Sequence, residues 1–265
     1  MQDPLDPTAL DAALAGSRFA GKLHVFPSSP STKTHAMQQA EAGAPDGSVY
    51  CADEQTLGRG RGAHTWTSPP GSGLYVSVLL RPRLAPADIL WLSLAAGLAA
   101  QQAVRAVTSL DPDLRWPNDL LMGPRKFCGI LTELNAEVTR VRHAVIGIGM
   151  NVHQERFPDD LRATATSLRI ETARDWPRQE LLVALLQSLD CEVVALTGAA
   201  DLASATGAIR QRLESGSSWL RGRRVRVDEG EGFTGITEGL DARGFLLVRT
   251  ADGVRTVLSG GVRAI

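Results

Sequence analysis

Alternation of apolar with polar or small residues between positions 23 and 148 predicts a sheet of short strands. The clearest run is 73–80, Gly-Leu-Tyr-Val-Ser-Val-Leu-Leu, which Pro82 and Pro86 end. Further strands are expected at residues 23–26, 48–52, 129–134 and 143–148, with two more joined by a turn within 114–126. Helices are expected between and after these strands, so the larger domain is predicted to combine a sheet with helices.

Helical spacing of apolar residues predicts the elements that flank this sheet. Helices are expected at residues 9–15, 33–42, 88–107, 177–197 and 201–213, with Thr8 as the cap of the first. The uncharged, alanine-rich run 89–104 is too short to span a bilayer comfortably, so it indicates a buried helix and no membrane association. The last two helices are expected to serve as scaffold.

The composition changes at Arg221, where short alternating strands separated by glycines begin. Four strands are expected there, at residues 223–228, 233–238, 244–250 and 254–259. They predict a small β-barrel of about 45 residues, which is too small to be comfortably stable alone and packs on the larger domain. We therefore expect two domains, at residues 1–219 and 220–265.

Charge and cysteine content narrow the classes of function. A net charge of −1 and a pI of about 6.5 exclude a global basic surface for nucleic acid, so any anion binding must be local. Cys51, Cys128 and Cys191 lie far apart and form no CxxC pair, which argues against disulfides and structural zinc. This usage, together with an acidic, proline-rich N-terminus without a signal peptide, favours the cytoplasm.

One stretch, 58–66, combines three glycines, two arginines and a terminal tryptophan. Glycine lets a backbone approach a ligand closely, and arginine offers planar, paired donors that suit phosphate or carboxylate. Trp66 offers a flat apolar face for a ring or for a core. On its own, the stretch is equally typical of a mobile loop that wraps an anion and of a solvated surface loop.

The order of motifs along the chain resembles that of a known family, and this resemblance favours the loop that wraps an anion over the solvated surface loop. Ser31-Thr32 lies at a strand-to-helix junction, and Gln55 precedes the Gly-Arg-Gly-Arg stretch. Trp-Pro-Asn-Asp-Leu follows at 116–120, then Arg-Lys-x-x-Gly-Ile-Leu at 125–131, Gly-Ile-Gly-x-Asn at 147–151, and the barrel. This series resembles the biotin–protein ligases, or biotin–[acetyl-CoA-carboxylase] ligases, over nearly the whole chain. It implies an α+β catalytic domain with a central mixed or antiparallel sheet flanked by helices, like that of class II aminoacyl-tRNA synthetases, and an SH3-like C-terminal barrel.

The resemblance also implies a reaction in two steps. The carboxylate of biotin attacks the α-phosphorus of Mg-ATP, which gives biotinyl-5′-adenylate and pyrophosphate. A lysine of the biotin carboxyl carrier domain of acetyl-CoA carboxylase then attacks the mixed anhydride, which gives a biotinyl-lysine amide and AMP. Biotin is thus a substrate, and Mg²⁺ accompanies ATP.

By the same resemblance, catalysis is assigned to Lys126, Arg59 and Arg61. The compact ammonium of Lys126 can bridge the biotin carboxylate and the α-phosphate, and it counters the charge that develops between them. Arg59 and Arg61 would donate to carboxyl and phosphate oxygens from a loop that Gly58 and Gly60 allow to close.

The remaining site residues are carried over one by one from the matching motifs. The residues expected to contact biotin are Ser31, Thr32, Lys33, Gln55, Arg59, Gly60, Arg61, Lys126 and Gly129. Those expected to contact ATP are Gly58, Arg59, Arg61, Trp66, Asn118, Lys126 and Asn151, and the expected magnesium ligand is Asp119. Three simpler roles stay open: helix capping for Ser31 and Thr32, a core anchor for Trp66, and a turn residue for Asn151.

Three features depart from the family's pattern. Lys33 stands where asparagine is expected, which puts one polar contact to biotin in doubt, and Arg115 stands where lysine is common. The second half of the loop, 62–64, lacks the arginines that are usual there. We therefore expect a looser hold on biotinyl-adenylate than in relatives with the full set of arginines.

Other interpretations stay open on sequence alone. A lipoate–protein ligase shares the implied architecture. A nucleic-acid-binding module can also contain a Gly-Arg-Gly-Arg stretch and a small barrel. A protein that only stores biotin would need the pocket without the catalysis. About 20 residues before the first strand cannot hold a winged-helix domain, so no DNA binding is expected. Such ligases can form homodimers by sheet extension, which the sequence neither requires nor excludes.

Overall fold

The computed structural model describes residues 4–62 and 64–265, so Ala63 of the glycine–arginine stretch lies outside the described residues. Strands β1 to β7 are Leu23–Phe26, Val49–Ala52, Gly73–Leu80, Asp113–Arg115, Asp119–Met122, Arg125–Ala136 and Val141–Asn151. Strands β8 to β12 are Arg221–Val227, Phe233–Leu240, Leu246–Thr250, Gly253–Val257 and Val262–Ala264. Helices α1 to α6 are Pro7–Ala13, Thr32–Glu41, Ile89–Thr108, Leu168–Thr172, Arg178–Thr197 and Leu202–Gly216, and a short 3-10 helix, Pro86–Asp88, precedes α3.

The first seven strands form one sheet in the order β1-β2-β3-β7-β6-β5-β4. The β1–β2 pair is parallel and the other pairs are antiparallel. This confirms the predicted mixed sheet, and β3, β7 and β6 lie at its centre, where the backbone is held on both sides.

Helices cover both faces of the sheet. The apolar helices α3 and α5 pack together on the face that carries the main core, where Trp91 and Leu185 are among the fully buried side chains. Helix α2 covers the other face above a small cluster that includes Tyr50, Leu79 and Val145. The segment Pro86–Thr108 has the length and hydropathy of a membrane span, but 67% of its most apolar window is buried inside the protein, as expected of a core helix.

Glycines open a gap on the face that α2 covers. Side chains alternate between the two faces of a strand, so Val145, Gly147 and Gly149 of β7 share the face beneath α2. In register with them on β6, Gly129 lies opposite Gly149, and Leu131 lies opposite Gly147. The glycines on β6 and β7 carry no side chains beyond the N-terminus of α2, so helix α2 does not cover this part of the sheet, which is called the glycine gap below.

The last five strands form an antiparallel sheet in the order β11-β10-β9-β8-β12, consistent with the predicted small barrel. Two buried hydrogen bonds fasten it and the preceding segment to the larger sheet. Trp116 Nε1 donates to the carbonyl of Gly244 over 2.9 Å, and Ser217 Oγ donates to the carbonyl of Leu114 over 2.6 Å.

Several predicted boundaries were wrong for local reasons. Helix α1 starts at Pro7 and not at 9, because the Asp6 carboxylate accepts hydrogen bonds from the backbone N–H groups of Thr8 and Ala9 and is the N-cap in place of Thr8. Strands β6 and β7 extend beyond the predicted 129–134 and 143–148 at both ends, as a long hairpin. Helix α4 and strand β12 were not predicted, because elements of five and three residues carry too little periodicity.

Candidate active site

A cleft opens above the glycine gap, at the N-terminal end of α2. It gathers most of the predicted site residues from distant parts of the chain: Ser31, Thr32, Lys33, Gln55, Arg59, Gly60, Arg61, Trp66, Asn118, Lys126 and Gly129. Three predicted residues do not line it, namely Gly58, Asp119 and Asn151.

One end of the cleft is built from uncharged polar groups around Thr32. Gln55 Oε1 accepts from the Thr32 backbone N–H over 3.0 Å and from the Thr32 hydroxyl over 3.1 Å. The Thr32 hydroxyl also lies 2.9 Å from the hydroxyl of Ser77, and Gln55 Nε2 donates to Ser68 Oγ over 2.9 Å. This network fixes Thr32 and Gln55 while leaving one amide N–H of Gln55 for a ligand.

Helix capping and ligand access are combined at Ser31. Its hydroxyl accepts from the backbone N–H of Thr34 and caps α2, and the residue also lines the cleft. The helix N-terminus therefore faces the cleft with its positive dipole end. The cap predicted as an alternative for Ser31 is thus present, and it does not remove the residue from the site.

Lys33, one of the departures from the family's pattern, is buried beside this polar end. Its ammonium forms an ion pair with Glu133, and only 8% of its side chain is exposed, against 45% for Glu133. The Lys33 side chain runs close to Gly147, where a β-carbon would lie 3.7 Å from Lys33 Cδ. The departure thus places a buried, neutralised cation next to the polar network.

The other end of the cleft carries the ammonium of Lys126. Its Nζ lies 2.5 Å from Asp119 Oδ1, and 29% of the side chain is exposed toward the cleft and solvent. The backbone is fastened on both sides, because Lys126 N–H donates to Thr164 O over 2.8 Å and Thr166 N–H donates to Lys126 O over 2.9 Å. Asn151 secures the same segment by donating from Nδ2 to Thr166 O over 3.0 Å.

Trp66 lies between the two ends, flat on the glycine gap. A β-carbon added at Gly149 would lie 2.5 Å from Trp66 Nε1, and one added at Gly129 would lie 3.0 Å from Trp66 Cζ3. The ammonium of Lys126 is 5.2 Å from the ring centroid, within the range of a cation–π contact. The indole Nε1 is buried and has no hydrogen-bond partner among the described residues.

The glycine–arginine stretch folds back on itself as a small hairpin over the cleft. Trp66 N–H donates to Gly58 O over 2.9 Å, and Gly60 N–H donates to His64 O over 2.8 Å. Gly58 is required there, because a β-carbon would lie 2.3 Å from the carbonyl oxygen of Trp66. Gly58 therefore shapes the hairpin and does not line the cleft.

The two arginines of this hairpin differ in their contacts. Arg61 Nη1 donates to the carbonyl of Gly260, in the turn before β12, over 3.0 Å. The Arg59 side chain is exposed and makes no hydrogen bond or ion pair with the residues that the structure describes. One guanidinium is thus available at the cleft, and the other is held by the C-terminal sheet.

Asn118 and Asn151 support the strands around Lys126. Asn118 Nδ2 donates to Ile130 O over 2.6 Å, and Asn118 lines the cleft. Asn151 is buried, and its Oδ1 has no hydrogen-bond partner among the described residues. Contact between Asn151 and a nucleotide stays a prediction, and this unpartnered acceptor is the atom that could make it.

The predicted magnesium ligand, Asp119, is already paired on both oxygens. Oδ1 meets Lys126, and Oδ2 accepts from Arg115 Nη2 over 2.7 Å. Burial opposes ionisation, but the two cations outweigh it and hold the pKa of Asp119 below its ordinary value. Among residues 4–62 and 64–265, no group of three or more His, Cys, Asp or Glu side chains is arranged to hold a metal ion. This geometry does not fit a resident magnesium site, and the role of Asp119 as a metal ligand stays a prediction.

Sequence reasoning missed part of the cleft wall. Ser77, Gly147 and Gly149 line it but were not assigned, although the two glycines stand in a motif that was singled out. Their signal was available in the alternation of β7, since Gly147 and Gly149 fall on the face opposite Ile146 and Ile148. Ser77 is a hydroxyl inside an otherwise apolar strand, which is a sign of a polar partner.

Comparison with known proteins matches both parts of the chain. Residues 25–151 match the family model Biotin/lipoate A/B protein ligase family, and residues 221–262 match Biotin protein ligase C terminal domain. The biotin--[acetyl-CoA-carboxylase] ligase of Mycobacterium tuberculosis is 31% identical over 270 residues, which cover 99% of this chain and 96% of that protein. The chain belongs to the biotin/lipoate A/B protein ligase family.

Other members of the family agree in sequence and fold. The bifunctional ligase/repressor BirA of Bacillus spizizenii is 34% identical over 235 residues, covering 88% of this chain and 70% of that protein. The biotin protein ligase of Aquifex aeolicus, solved in complex with biotin and ATP, is 29% identical with a TM-score of 0.79, over 92% of this chain and 100% of that chain. The biotin protein ligase of Leishmania major, solved with biotinyl-5-AMP, is 26% identical with a TM-score of 0.61, over 90% and 99%.

Proposed function

We propose that this member of the family is a biotin–protein ligase. It activates biotin with Mg-ATP to biotinyl-5′-AMP and transfers biotin to a lysine of a biotin carboxyl carrier domain, that of acetyl-CoA carboxylase. The observation that carries the proposal is the division of one cleft into an uncharged polar end and a cationic end. Biotin has the same division, with a ureido group at one end and a carboxylate at the other.

The polar end suits the ureido ring. A ureido group offers one carbonyl acceptor and two N–H donors, and burying it requires matching partners. Ser31, Thr32 and Gln55 supply hydroxyl and amide groups, and the ammonium of Lys33, which also lines the cleft, is paired with Glu133. Gly129, which has no side chain, would let the β6 backbone approach biotin closely.

The cationic end suits the reaction centre. A carboxylate and a triphosphate repel each other, so their approach requires positive charge that does not itself react. Lys126 supplies a fixed ammonium, and Arg59 and Arg61 would add planar donors when the hairpin closes with Gly60 over the adduct. Closure also excludes water, which protects the mixed anhydride until the carrier lysine arrives.

The nucleotide is assigned to the side of the cleft between Trp66 and Asn118. The indole, on the hairpin that Gly58 shapes, offers a face for adenine, and Asn151 is proposed to contact the nucleotide through its unpartnered Oδ1. Mg²⁺ belongs to this scheme as part of the Mg-ATP substrate. Both oxygens of Asp119 are paired with cations, so the proposed reaction assigns no step to a metal ion bound by Asp119.

Cellular setting and assembly are part of the proposal. Cys51, Cys128 and Cys191 are free thiols, which supports a reducing cytoplasm. The domain division proposed is 1–219 for catalysis and 220–265 for the C-terminal barrel. We expect no binding to DNA or membranes, and strands β1 and β4, which end the central sheet, are the candidates for a homodimer by sheet extension.

The test is biotin transfer from ATP and biotin to a carrier domain, with Lys126→Ala beside the wild type. We expect pyrophosphate release and carrier labelling by the wild type and loss of both in the variant. The alternative of a lipoate ligase is less supported, because the relatives and structures named above are biotin ligases. Pyrophosphate release with lipoate and not with biotin would overturn the assignment. Biotin binding without pyrophosphate release by the wild type, unchanged in Lys126→Ala, would indicate a biotin store.

A further inference from the structure

A row of contacts connects Lys126 to the junction between the two sheets. Lys126 pairs with Asp119 Oδ1, Asp119 Oδ2 accepts from Arg115, and the Arg115 guanidinium lies 5.4 Å from the ring centroid of Trp219. Trp219 stands between helix α6 and strand β8 and is only 5% exposed. The cation of the cleft thus depends on side chains from two parts of the fold.

The far end of this row is rigidly placed. The Trp219 backbone N–H donates to Ser217 Oγ over 3.0 Å, and Ser217 Oγ itself donates to the Leu114 carbonyl next to Arg115. A second arginine, Arg223 of β8, covers the same ring at 4.7 Å. The indole is therefore a fixed platform on which the Arg115 guanidinium stacks.

The ion pair between Arg115 and Asp119, in the middle of the row, is largely buried. The side chain of Asp119 is 13% exposed and that of Arg115 is 22% exposed, so their attraction is screened less than that of a surface pair. Without Arg115, Asp119 would keep a single partner and could swing toward Lys126 or away from it. An ammonium that must meet both a carboxylate and an α-phosphate tolerates little displacement.

We propose that Arg115 is a positioning residue for adenylate formation: seated on Trp219, it holds Asp119, and Asp119 holds the Lys126 ammonium in the cleft. The inference rests on the proposed function, and it gives Asp119 a role that its paired oxygens can fulfil without a metal. It also gives a physical role to a position at which this chain departs from the lysine common in its family.

The test compares Arg115→Ala with Arg223→Ala in biotin-dependent exchange of pyrophosphate into ATP. Both variants remove one guanidinium from the Trp219 ring, but only Arg115 contacts Asp119. We expect Arg115→Ala to lower kcat about 10- to 100-fold with the KM for biotin within about threefold. Arg223→Ala should stay within about twofold of the wild type, and Arg115→Lys, which restores the charge but not the planar guanidinium that stacks on Trp219, should recover only part of the loss.

A double-mutant cycle separates positioning from general destabilisation. If Arg115 acts only through Asp119, then Arg115→Ala added to Asp119→Asn should cause no further loss of kcat. Thermal midpoints of the single variants provide the check on folding, and Arg115→Gln replaces Arg115→Ala if the alanine variant does not fold.

The possible outcomes separate the positioning role from the proposed function. A wild type without exchange or transfer activity overturns the proposed function, and the positioning role falls with it. An active wild type in which Arg115→Ala equals Arg223→Ala overturns the positioning role alone. The positioning role is also overturned if the losses from Arg115→Ala and Asp119→Asn simply multiply.

Discussion

Adding one methyl group to the floor of the cleft, in Gly149→Ala, should displace Trp66. The new β-carbon would lie 2.5 Å from Nε1 and 2.6 Å from Cε2 of the indole, where ordinary contacts are at least 3.4 Å. The strand cannot yield easily, because Gly149 pairs with Tyr75 on one side and Gly129 on the other. The indole must therefore retreat by about 1 Å, on the scale of normal van der Waals separation.

Displacement of the Trp66 indole is expected to slow adenylate formation. The retreat weakens the contact between the indole and the Lys126 ammonium, which is worth about 0.5–2 kcal/mol depending on its desolvation. A shift of about 1 Å in a group that positions substrate can reduce rates about 100-fold. We therefore expect kcat/KM for adenylate formation to fall about 10- to 100-fold, or about 1.4–2.7 kcal/mol of transition-state stabilisation.

The assay pairs Gly149→Ala with Gly207→Ala, the same change in helix α6, where a β-carbon would meet nothing within 4 Å. Gly207→Ala should keep wild-type activity and gain up to about 1 kcal/mol in stability from helix propensity. Pyrophosphate exchange gives kcat/KM, and tryptophan fluorescence, referenced to Trp66→Phe, reports the indole. Wild-type kcat/KM together with unchanged Trp66 fluorescence in Gly149→Ala would refute the reasoning.

Three further predictions follow from burial and charge. Burial raises the pKa of Cys51 and Cys128 to about 12, so a thiol reagent should label only the exposed Cys191 in the native protein and all three after unfolding; native labelling of three thiols would contradict this. Burial lowers the pKa of His143, so the unfolded chain takes up its proton first. The free energy of unfolding therefore carries no penalty from His143 above a pH of about 6.5 and falls as the pH drops below it. His143→Gln should make the free energy of unfolding, measured by denaturant unfolding, depend less on pH on the acid side. The arginine-poor segment 62–64 should shorten the half-life of bound biotinyl-adenylate relative to family members with the full set, and an equal half-life would count against this.

Periodicity and turn chemistry were sufficient for most of the fold. The strand predicted at 73–80 is β3 without a shift, and the apolar run after Pro86 is the core helix α3. The site residues came from the resemblance of the motif order to a family and not from periodicity, and the fold brings most of them into one cleft. Sequence reasoning did not reach the short helix α4, whose five residues depend on contacts and not on periodicity.

Pairing across the sheet explains what was missed at the site. Gly129 and Gly149 lie opposite each other only because β6 and β7 adopt one particular register, and no local pattern in either strand specifies that register. The state of Asp119 was hidden for a related reason. The resemblance to the family implied a hard-oxygen ligand for magnesium, but the fold turns Arg115 and Lys126 toward the two oxygens of the same carboxylate.

The C-terminal part of the chain contacts the surroundings of the cleft at two points, so the proposed domain boundary does not leave the whole site in one domain. Gly260 accepts a hydrogen bond from Arg61 of the hairpin, and Gly244 accepts one from Trp116, the neighbour of Arg115 behind Lys126. One contact holds a group that would have to swing inward for catalysis, and the other holds a group that must not move. A division at residue 219 therefore separates two sheets but divides one site. It follows that cutting the chain there should impair adenylate formation even if the larger part stays folded.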